Sequence, residues 1–147
     1  MKVLVDSNVV LNKLLEQPGF FAGSNTIFRL AEIGQITGYV SASAINDIYY
    51  ISKKQLGKEA ALKAIMKMLS VFQPATVTGD DIFIALNLDW ADFEDSVQFV
   101  VGQGLAVDYI ITRNIHDFTS GSIDVLTPEQ FIEQLTVSSE QNPSDIK

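Results

Sequence analysis

The chain has 147 residues, and its 18 Asp and Glu against 10 Lys and Arg give a formal net charge of −8. Hydrophobic residues make up 47%, which is typical of a globular domain and too many for a disordered chain. The absence of cysteine and the single histidine exclude disulfides, thiol chemistry and multi-histidine zinc sites. The acidic charge argues against general binding to nucleic-acid backbones, unless a divalent cation changes the local sign.

The length suits one domain, which we predict over residues 1–135. Residues 136–147 are polar and lack periodicity, so we expect a frayed C-terminal tail. No apolar run has the length of a membrane helix, and Asp6 interrupts the N-terminal apolar run where a signal peptide would continue. We therefore expect a soluble cytoplasmic protein that makes no membrane contact.

The first half of the chain alternates short apolar runs, which predict buried strands, with stretches of helical periodicity. We predict a strand, two helices, a second strand and two further helices over residues 2–5, 8–15, 24–33, 38–40, 43–56 and 58–69. Ser24 is the predicted N-cap of the second helix, and Gly57 separates the last two helices.

The second half continues the same alternation. We predict a strand region interrupted by Pro74, two helices, a clear buried strand, a weaker strand and a final helix, over residues 71–77, 80–88, 93–104, 108–112, 123–125 and from 127 onward. Strands that alternate with helices indicate crossover connections and a parallel sheet. We therefore expect an α/β fold, a three-layer α/β/α sandwich whose central, mainly parallel sheet has four to five strands. Ligands of such sheets bind at the carboxyl ends of the strands.

Asp6 directly follows the first predicted strand and so belongs to that edge. It also suits the N-cap of the helix that begins near Asn8, and the sequence leaves both interpretations open.

Asp47 shares helical spacing with Ala44, Ile48 and Ile51, so its carboxylate lies on or beside an apolar stripe. A buried carboxylate needs a partner, a proton or a cation. The alternative is a position at the edge of the stripe, paired with a lysine such as Lys54.

Further acidic and polar residues occur at two later places in the chain. Asp92, Glu94 and Asp95 open a predicted helix, where capping and the helix dipole explain some of them but do not require all three. Asn114 and Asp117 lie in the loop after the clear strand, where they also suit a polar turn. A parallel sheet would bring these places to one end, and Mg²⁺ or Mn²⁺ would relieve the resulting repulsion.

The acids occur at four places in the chain, at Asp6, at Asp47, at residues 92–95 and at residues 114–117. Their order resembles that of the PIN domain, the nuclease fold of VapC-type toxins, and the resemblance covers nearly the whole of residues 1–135. The matching stretches are residues 3–8 (VLVDSN), 45–50 (INDIYY), 92–96 (DFEDS) and 110–118 (IITRNIHDF). The resemblance implies that one or two Mg²⁺ or Mn²⁺ ions are held by Asp6, Asp47, Asp95 and Asp117 as catalytic metal ligands. It implies supporting roles for Ser7, Asn8, Glu94, Thr112, Arg113 and Asn114.

The chain departs from the family pattern at two positions. The helical acid is usually Glu, and Asp47 is one methylene shorter. The residue two after the strand threonine is often Asp, whereas here it is Asn114, so the site has one charge fewer unless Asp117 supplies it.

The leading hypothesis is a metal-dependent endoribonuclease, the toxin of a toxin–antitoxin pair. The alternative is a weak or inactive PIN-fold protein that acts as an interaction module, which Asn114 and the charge of −8 favour. A receiver-like phospho-acceptor domain fits less well, because a single acid follows the first strand. The resemblance also implies a homodimer and an antitoxin partner. RNA would need local positive charge, for which the candidates are Lys53, Lys54, Lys58 and Arg113.

Overall fold

A computed structural model describes residues 1–118 and 121–141 of the chain. Its elements in chain order are β1 (Lys2–Val5), α1 (Ser7–Leu14), α2 (Phe21–Glu32), β2 (Thr37–Ser41), α3 (Ala42–Leu56), α4 (Lys58–Met68), β3 (Phe72–Ala75), α5 (Gly79–Leu88), α6 (Phe93–Leu105), β4 (Tyr109–Ile111), a 3-10 turn (Ile115–Asp117), β5 (Asp124–Leu126) and α7 (Pro128–Gln141).

The five strands form one sheet in the order β3-β2-β1-β4-β5, and every neighbouring pair is parallel. The predicted α/β architecture is confirmed, with the sheet fully parallel. β1 lies at the centre, where Leu4 is in register with Tyr39 of β2 and Ile110 of β4. Pro74, which cannot donate a ladder hydrogen bond, lies in the edge strand β3, where parallel sheets tolerate it.

The alternation of side chains along β1 divides the core into two layers. Val3 and Val5 are buried with residues of α1, α2 and α3, together with Phe131 of α7. Leu4 points to the opposite face, where it is buried with Phe99 of α6. Both faces of β1 are therefore covered. Its carboxyl end lies between the loop that enters α1 and the loop that follows β4.

Two boundaries differ from the sequence expectation by three residues or more. Helix α2 begins at Phe21, three residues before the predicted N-cap, because the N–H of Phe21 already donates to the carbonyl of Gln17 at 2.9 Å. Ser24 is therefore a buried residue inside the helix. Helix α7 continues through Gln141, past the predicted boundary at residue 135.

The division into a domain over 1–135 and a tail over 136–147 stays a prediction, and residues 142–147 of that tail lie outside the described residues. Within the described chain, no helix is both long enough and apolar enough to cross a membrane.

Candidate metal centre

The carboxyl edge of the sheet collects acids from several elements. Asp6 follows β1 and is the N-cap of α1, so the capping role left open by the sequence is real. Thr112 follows β4 and lies next to Asp6, because Val5 of β1 is in register with Ile111 of β4. Helix α6 starts at the same edge and supplies Asp95 in its first turn.

Asp6 is buried, with 4% of its surface exposed, and both carboxylate oxygens accept hydrogen bonds. Oδ1 accepts from the N–H of Ser7 and from Nε2 of Gln98, each at 2.7 Å, and from the Ser7 hydroxyl at 3.4 Å. Oδ2 accepts from the hydroxyl of Thr112 at 2.7 Å. These donors fix the orientation of the carboxylate.

A second group of carboxylates comprises Asp92, Asp95 and Asp117. One oxygen of each lies within 4.8 Å of the others. Asp92 is also the N-cap of α6, where its Oδ1 accepts from the N–H of Asp95 at 3.1 Å. Asp117 comes from the 3-10 turn after β4. The structure thus brings together Asp95 and Asp117, two of the four predicted ligands, with Asp92 as a third acid.

Electrostatic repulsion marks this second group. Desolvation by burial, together with the charges of Asp6, Asp92, Asp117 and Glu94, raises the pKa of Asp95 to about 7. Among the described residues no donor bonds the Asp95 carboxylate, so nothing offsets these effects. Asp6 therefore lies close enough to Asp95 to interact with it through charge, although it is not in the group of three.

Asp47 reaches the cluster through Glu94. Burial, the charges of Asp47, Asp6 and Asp92, and a hydrogen bond with Asp47 together raise the pKa of Glu94. Asp47 itself is exposed.

The predicted apolar stripe of α3 is therefore wrong in its details. The buried residues follow the spacing Ala44, Ile48 and Ser52, whereas Ile51 is 41% exposed. Asp47 lies outside that stripe and faces Glu94. Among the residues that the structure describes, the ion pairs are Lys63–Glu59 and Arg113–Glu129, so the alternative pairing of Asp47 with Lys54 does not occur there.

Two of the predicted supporting residues brace the edge. Thr112 accepts from the N–H of Asn114 at 3.0 Å while it donates to Asp6, so its hydroxyl connects the two loops. Asn8 accepts from the N–H of Arg113 at 3.3 Å through its Oδ1. The side chain of Asn114 is exposed.

Arg113 makes contacts that a substrate-binding residue would not need. Its Nε donates to Asn12 at 3.1 Å, its Nη2 donates to the carbonyl of Phe20 at 3.0 Å, and its Nη1 pairs with Glu129. The guanidinium also lies over the ring of Phe20. These contacts connect the loop of Arg113 to α1, to the start of α2 and to α7, and the role of Arg113 in RNA binding stays a prediction.

The three candidate lysines lie away from the acids. Lys53 and Lys54 occupy the last turn of α3 and Lys58 begins α4, and all three are exposed. Because α3 starts at the carboxyl edge and runs away from it, Lys53 lies about 9 Å farther along the helix axis than Asp47. Their role in RNA binding stays a prediction.

Sequence reasoning underestimated two residues. The sequence around Asp92 suits an N-cap, and its spacing of three from Asp95 also places both carboxylates at the same helix end. Gln98 went unnoticed, although a polar residue within the apolar run from Val97 to Val101 signals a buried partner.

The donor set fits a hard divalent cation. The cluster offers only carboxylate oxygens, which Mg²⁺ and Mn²⁺ prefer. In the described parts of the chain no Lys or Arg pairs with these acids. Burial and the neighbouring negative charges both raise the pKa of Asp95, and a cation would offset them.

The comparison with family models identifies one family. The family model of the PIN domain matches residues 2–116. None of the curated proteins matches the chain in sequence.

Solved structures share the fold at low sequence identity. VapC20 of Mycobacterium tuberculosis, described as a sarcin-ricin loop cleaving toxin, is 15% identical, with a TM-score of 0.60 over 74% of this chain and 86% of that one. VapBC2 of Rickettsia felis, bound to promoter DNA, is 16% identical, with a TM-score of 0.66 over 86% and 97%. A toxin-antitoxin complex of Klebsiella pneumoniae is 22% identical, with a TM-score of 0.62 over 86% and 97%.

Proposed function

We propose that this chain, which belongs to the PIN-domain family, is an endoribonuclease that depends on Mg²⁺ or Mn²⁺ and is the toxin of a toxin–antitoxin pair. The observation that carries the proposal is the group formed by Asp92, Asp95 and Asp117, whose carboxylate oxygens lie within 4.8 Å of one another at the carboxyl edge of the sheet. A cluster of acids without basic partners gains most from a cation, since bound metal replaces repulsion by attraction.

The proposed ligands of the cation are Asp6, Asp95 and Asp117, with Asp92 beside them. Asp6 faces the same space from β1, and its four hydrogen bonds hold its charge in place. Asp47 and Glu94 extend the acidic surface on the side of α3. A bound Mg²⁺ or Mn²⁺ would supply an activated water and stabilise charge on the phosphate oxygens during hydrolysis.

The chain's own residues prepare the site for that chemistry. Thr112 and Gln98 orient Asp6, so that the carboxylate need not reorganise when a cation and a phosphodiester arrive. Asp92 keeps the first turn of α6 in place and thereby positions Asp95.

RNA is the proposed substrate, and a protein antitoxin is the proposed partner. VapC20 is described as a toxin that cleaves the sarcin-ricin loop, and other neighbours were solved as toxin-antitoxin assemblies. We extend both features to this chain, together with a homodimer and a cytoplasmic location. With a net charge of −8, few phosphates can pair directly with the protein, so RNA binding should show a shallow dependence on salt.

The test is cleavage of RNA by the purified chain, with Mg²⁺ or Mn²⁺, with chelator, and with metal restored after chelation. Asp6→Asn and Asp95→Asn are assayed beside the wild type, with Lys63→Ala as a control on an exposed face of α4. We expect cleavage with metal, none with chelator, and a loss in both Asp variants alone. Cleavage that survives chelation or both substitutions would refute the proposal.

The alternative function is an inactive PIN-fold interaction module. It is favoured by Asn114, an exposed amide at a position where the family often has an acid. Calorimetric titration separates the two functions: a folded wild type that binds neither Mg²⁺ nor Mn²⁺ at millimolar concentration would support the module.

A further inference from the structure

Gln98 is a buried amide whose two polar atoms are treated differently by the structure. Its side chain is 1% exposed. Nε2 donates to Oδ1 of Asp6 at 2.7 Å, whereas no donor among the described residues reaches Oε1. An ionised carboxylate only accepts hydrogen bonds, so the amide must present its nitrogen to Asp6 and leave its oxygen unpaired.

The unpaired Oε1 is unfavourable for folding. A buried acceptor without a donor costs free energy, and an apolar side chain of similar size at position 98 would avoid that cost. The residues that follow Gln98 on α6, Phe99, Val100 and Val101, are buried and apolar. A polar residue at such a position points to a role other than stability.

The location of Gln98 suggests that role. It lies one helical turn after Asp95, so the two side chains project from the same side of α6 toward the carboxyl edge. Helix α6 therefore contributes an acid of the cluster and, one turn later, the amide that holds Asp6. Gln98 of α6 donates to one carboxylate oxygen of Asp6, and Thr112 at the end of β4 donates to the other.

We propose that Gln98 is a positioning residue of the metal site, whose amide fixes the Asp6 carboxylate relative to Asp95 and thereby sets the affinity for the divalent cation. This role rests on the proposed metal-dependent function. Gln98 does not touch the cation or the RNA; it acts through Asp6. Residues that orient metal ligands commonly change metal affinity by about 10- to 100-fold when they are replaced.

The decisive variant is Gln98→Met, which preserves size and removes both the donor and the unpaired acceptor. Ser52→Ala is the matched control, because Ser52 is another buried residue whose hydroxyl has no partner in the described structure, and it lies on α3 away from the acids. Each protein is titrated with Mn²⁺ alone by calorimetry, melted without metal, and assayed for RNA cleavage over a range of Mn²⁺ concentrations.

We expect the affinity of Gln98→Met for Mn²⁺ to fall by about 10- to 100-fold. The metal-free melting temperature should stay within a few degrees of the wild type, and saturating Mn²⁺ should restore much of the cleavage. A residue that serves only folding would show the opposite pattern, with a lower melting temperature and unchanged affinity of the folded fraction. If Gln98→Met does not fold, Gln98→Asn, which withdraws the amide by one methylene, should show the same loss of affinity.

The outcomes separate this role from the function on which it rests. If the wild type and Ser52→Ala bind Mn²⁺ and Gln98→Met binds it equally well, the role of Gln98 is overturned and the metal site stands. If the wild type binds no Mn²⁺, the metal site itself is refuted, and the role of Gln98 falls with it.

Discussion

Two aspartates at the carboxyl edge of the sheet, Asp6 and Asp95, differ in the hydrogen bonds that their carboxylates receive. Asp6, at the end of β1, is buried and accepts hydrogen bonds from Ser7, Gln98 and Thr112. Asp95, at the start of α6, is also buried, yet no described residue donates to its carboxylate, and burial with neighbouring charges raises its pKa to about 7. Two buried carboxylates at one edge of the sheet therefore differ in their donors, and Asp95 is the one on which burial and neighbouring charges act without a hydrogen bond from the described residues.

The contrast has a functional meaning under the proposed mechanism. The anchored side, represented by Asp6, provides geometry that does not change. The unanchored side, formed by Asp92, Asp95 and Asp117, provides the repulsion that a cation relieves. Substitutions on the two sides should consequently differ in sign as well as in size.

The largest effect should come from the unanchored side. Asp117→Asn removes one of the three clustered carboxylates and should reduce RNA cleavage by at least about 100-fold, since a bound metal contributes several kcal/mol to such a reaction. Asn114→Asp is the matched change, because it adds an acid two residues after Thr112. Cleavage by both variants and by the wild type is assayed at one fixed Mn²⁺ concentration. Full activity of Asp117→Asn would show that Asp117 is not a ligand.

The next effect should fall on the anchored side. Asp6→Asn should lower the free energy of unfolding of the metal-free protein by about 2 kcal/mol, because the donors of Ser7, Gln98 and Thr112 lose a charged acceptor. Urea denaturation with chelator measures the change. A variant as stable as the wild type would show that the hydrogen bonds of Asp6 contribute little, which would remove the basis of the comparison.

The same substitution across the cluster should have the opposite sign. Asp95→Asn removes a repelled charge that receives no hydrogen bond, so the melting temperature of the metal-free protein should rise by roughly a few degrees. The stabilisation that Mn²⁺ gives to the wild type should be lost at the same time. Thermal melts with and without Mn²⁺ test both statements, and a lower melting temperature without metal would contradict the first.

The last prediction is a dependence of stability on pH. The pKa of the Asp95 carboxyl group is raised from its ordinary value of 3.8 to about 7 in the folded protein. At pH values between these two, the folded protein holds a proton at Asp95 that the unfolded chain does not hold. Metal-free stability should therefore rise as the pH falls from about 8 to about 5, the direction expected for a carboxyl group with a raised pKa. Because a cation must displace this proton, Mn²⁺ affinity should rise with pH over the same range.

Asp95→Asn is the control for this dependence. Urea denaturation at several pH values should show the stability difference between the variant and the wild type shrinking as the pH falls. Equal slopes for the two proteins would mean that Asp95 does not titrate in this range.

The sequence alone determined the architecture, because the signals for it are local. Apolar runs bounded by helical periodicity predict the strands, and their alternation with helices predicts a parallel sheet. Asp6 and Asp92 occupy the cap positions that their neighbours in the chain suggest. The predicted N-cap at Ser24 is wrong, because α2 already begins at Phe21, whose N–H donates to the carbonyl of Gln17. A serine that suits a cap is also tolerated inside a helix.

Only the tertiary structure decided how the acids are divided. The hydrogen bonds of Asp6 with Gln98 and Thr112 join residues 92 and 106 positions apart, and no periodicity encodes such distances. The exposed position of Asp47 and the engagement of Arg113 likewise depend on how helices pack on the sheet. Residue types and spacing predicted a cluster of carboxylates at the carboxyl edge. Which carboxylate is held by donors and which is left repelled depends on contacts that form only when the chain has folded.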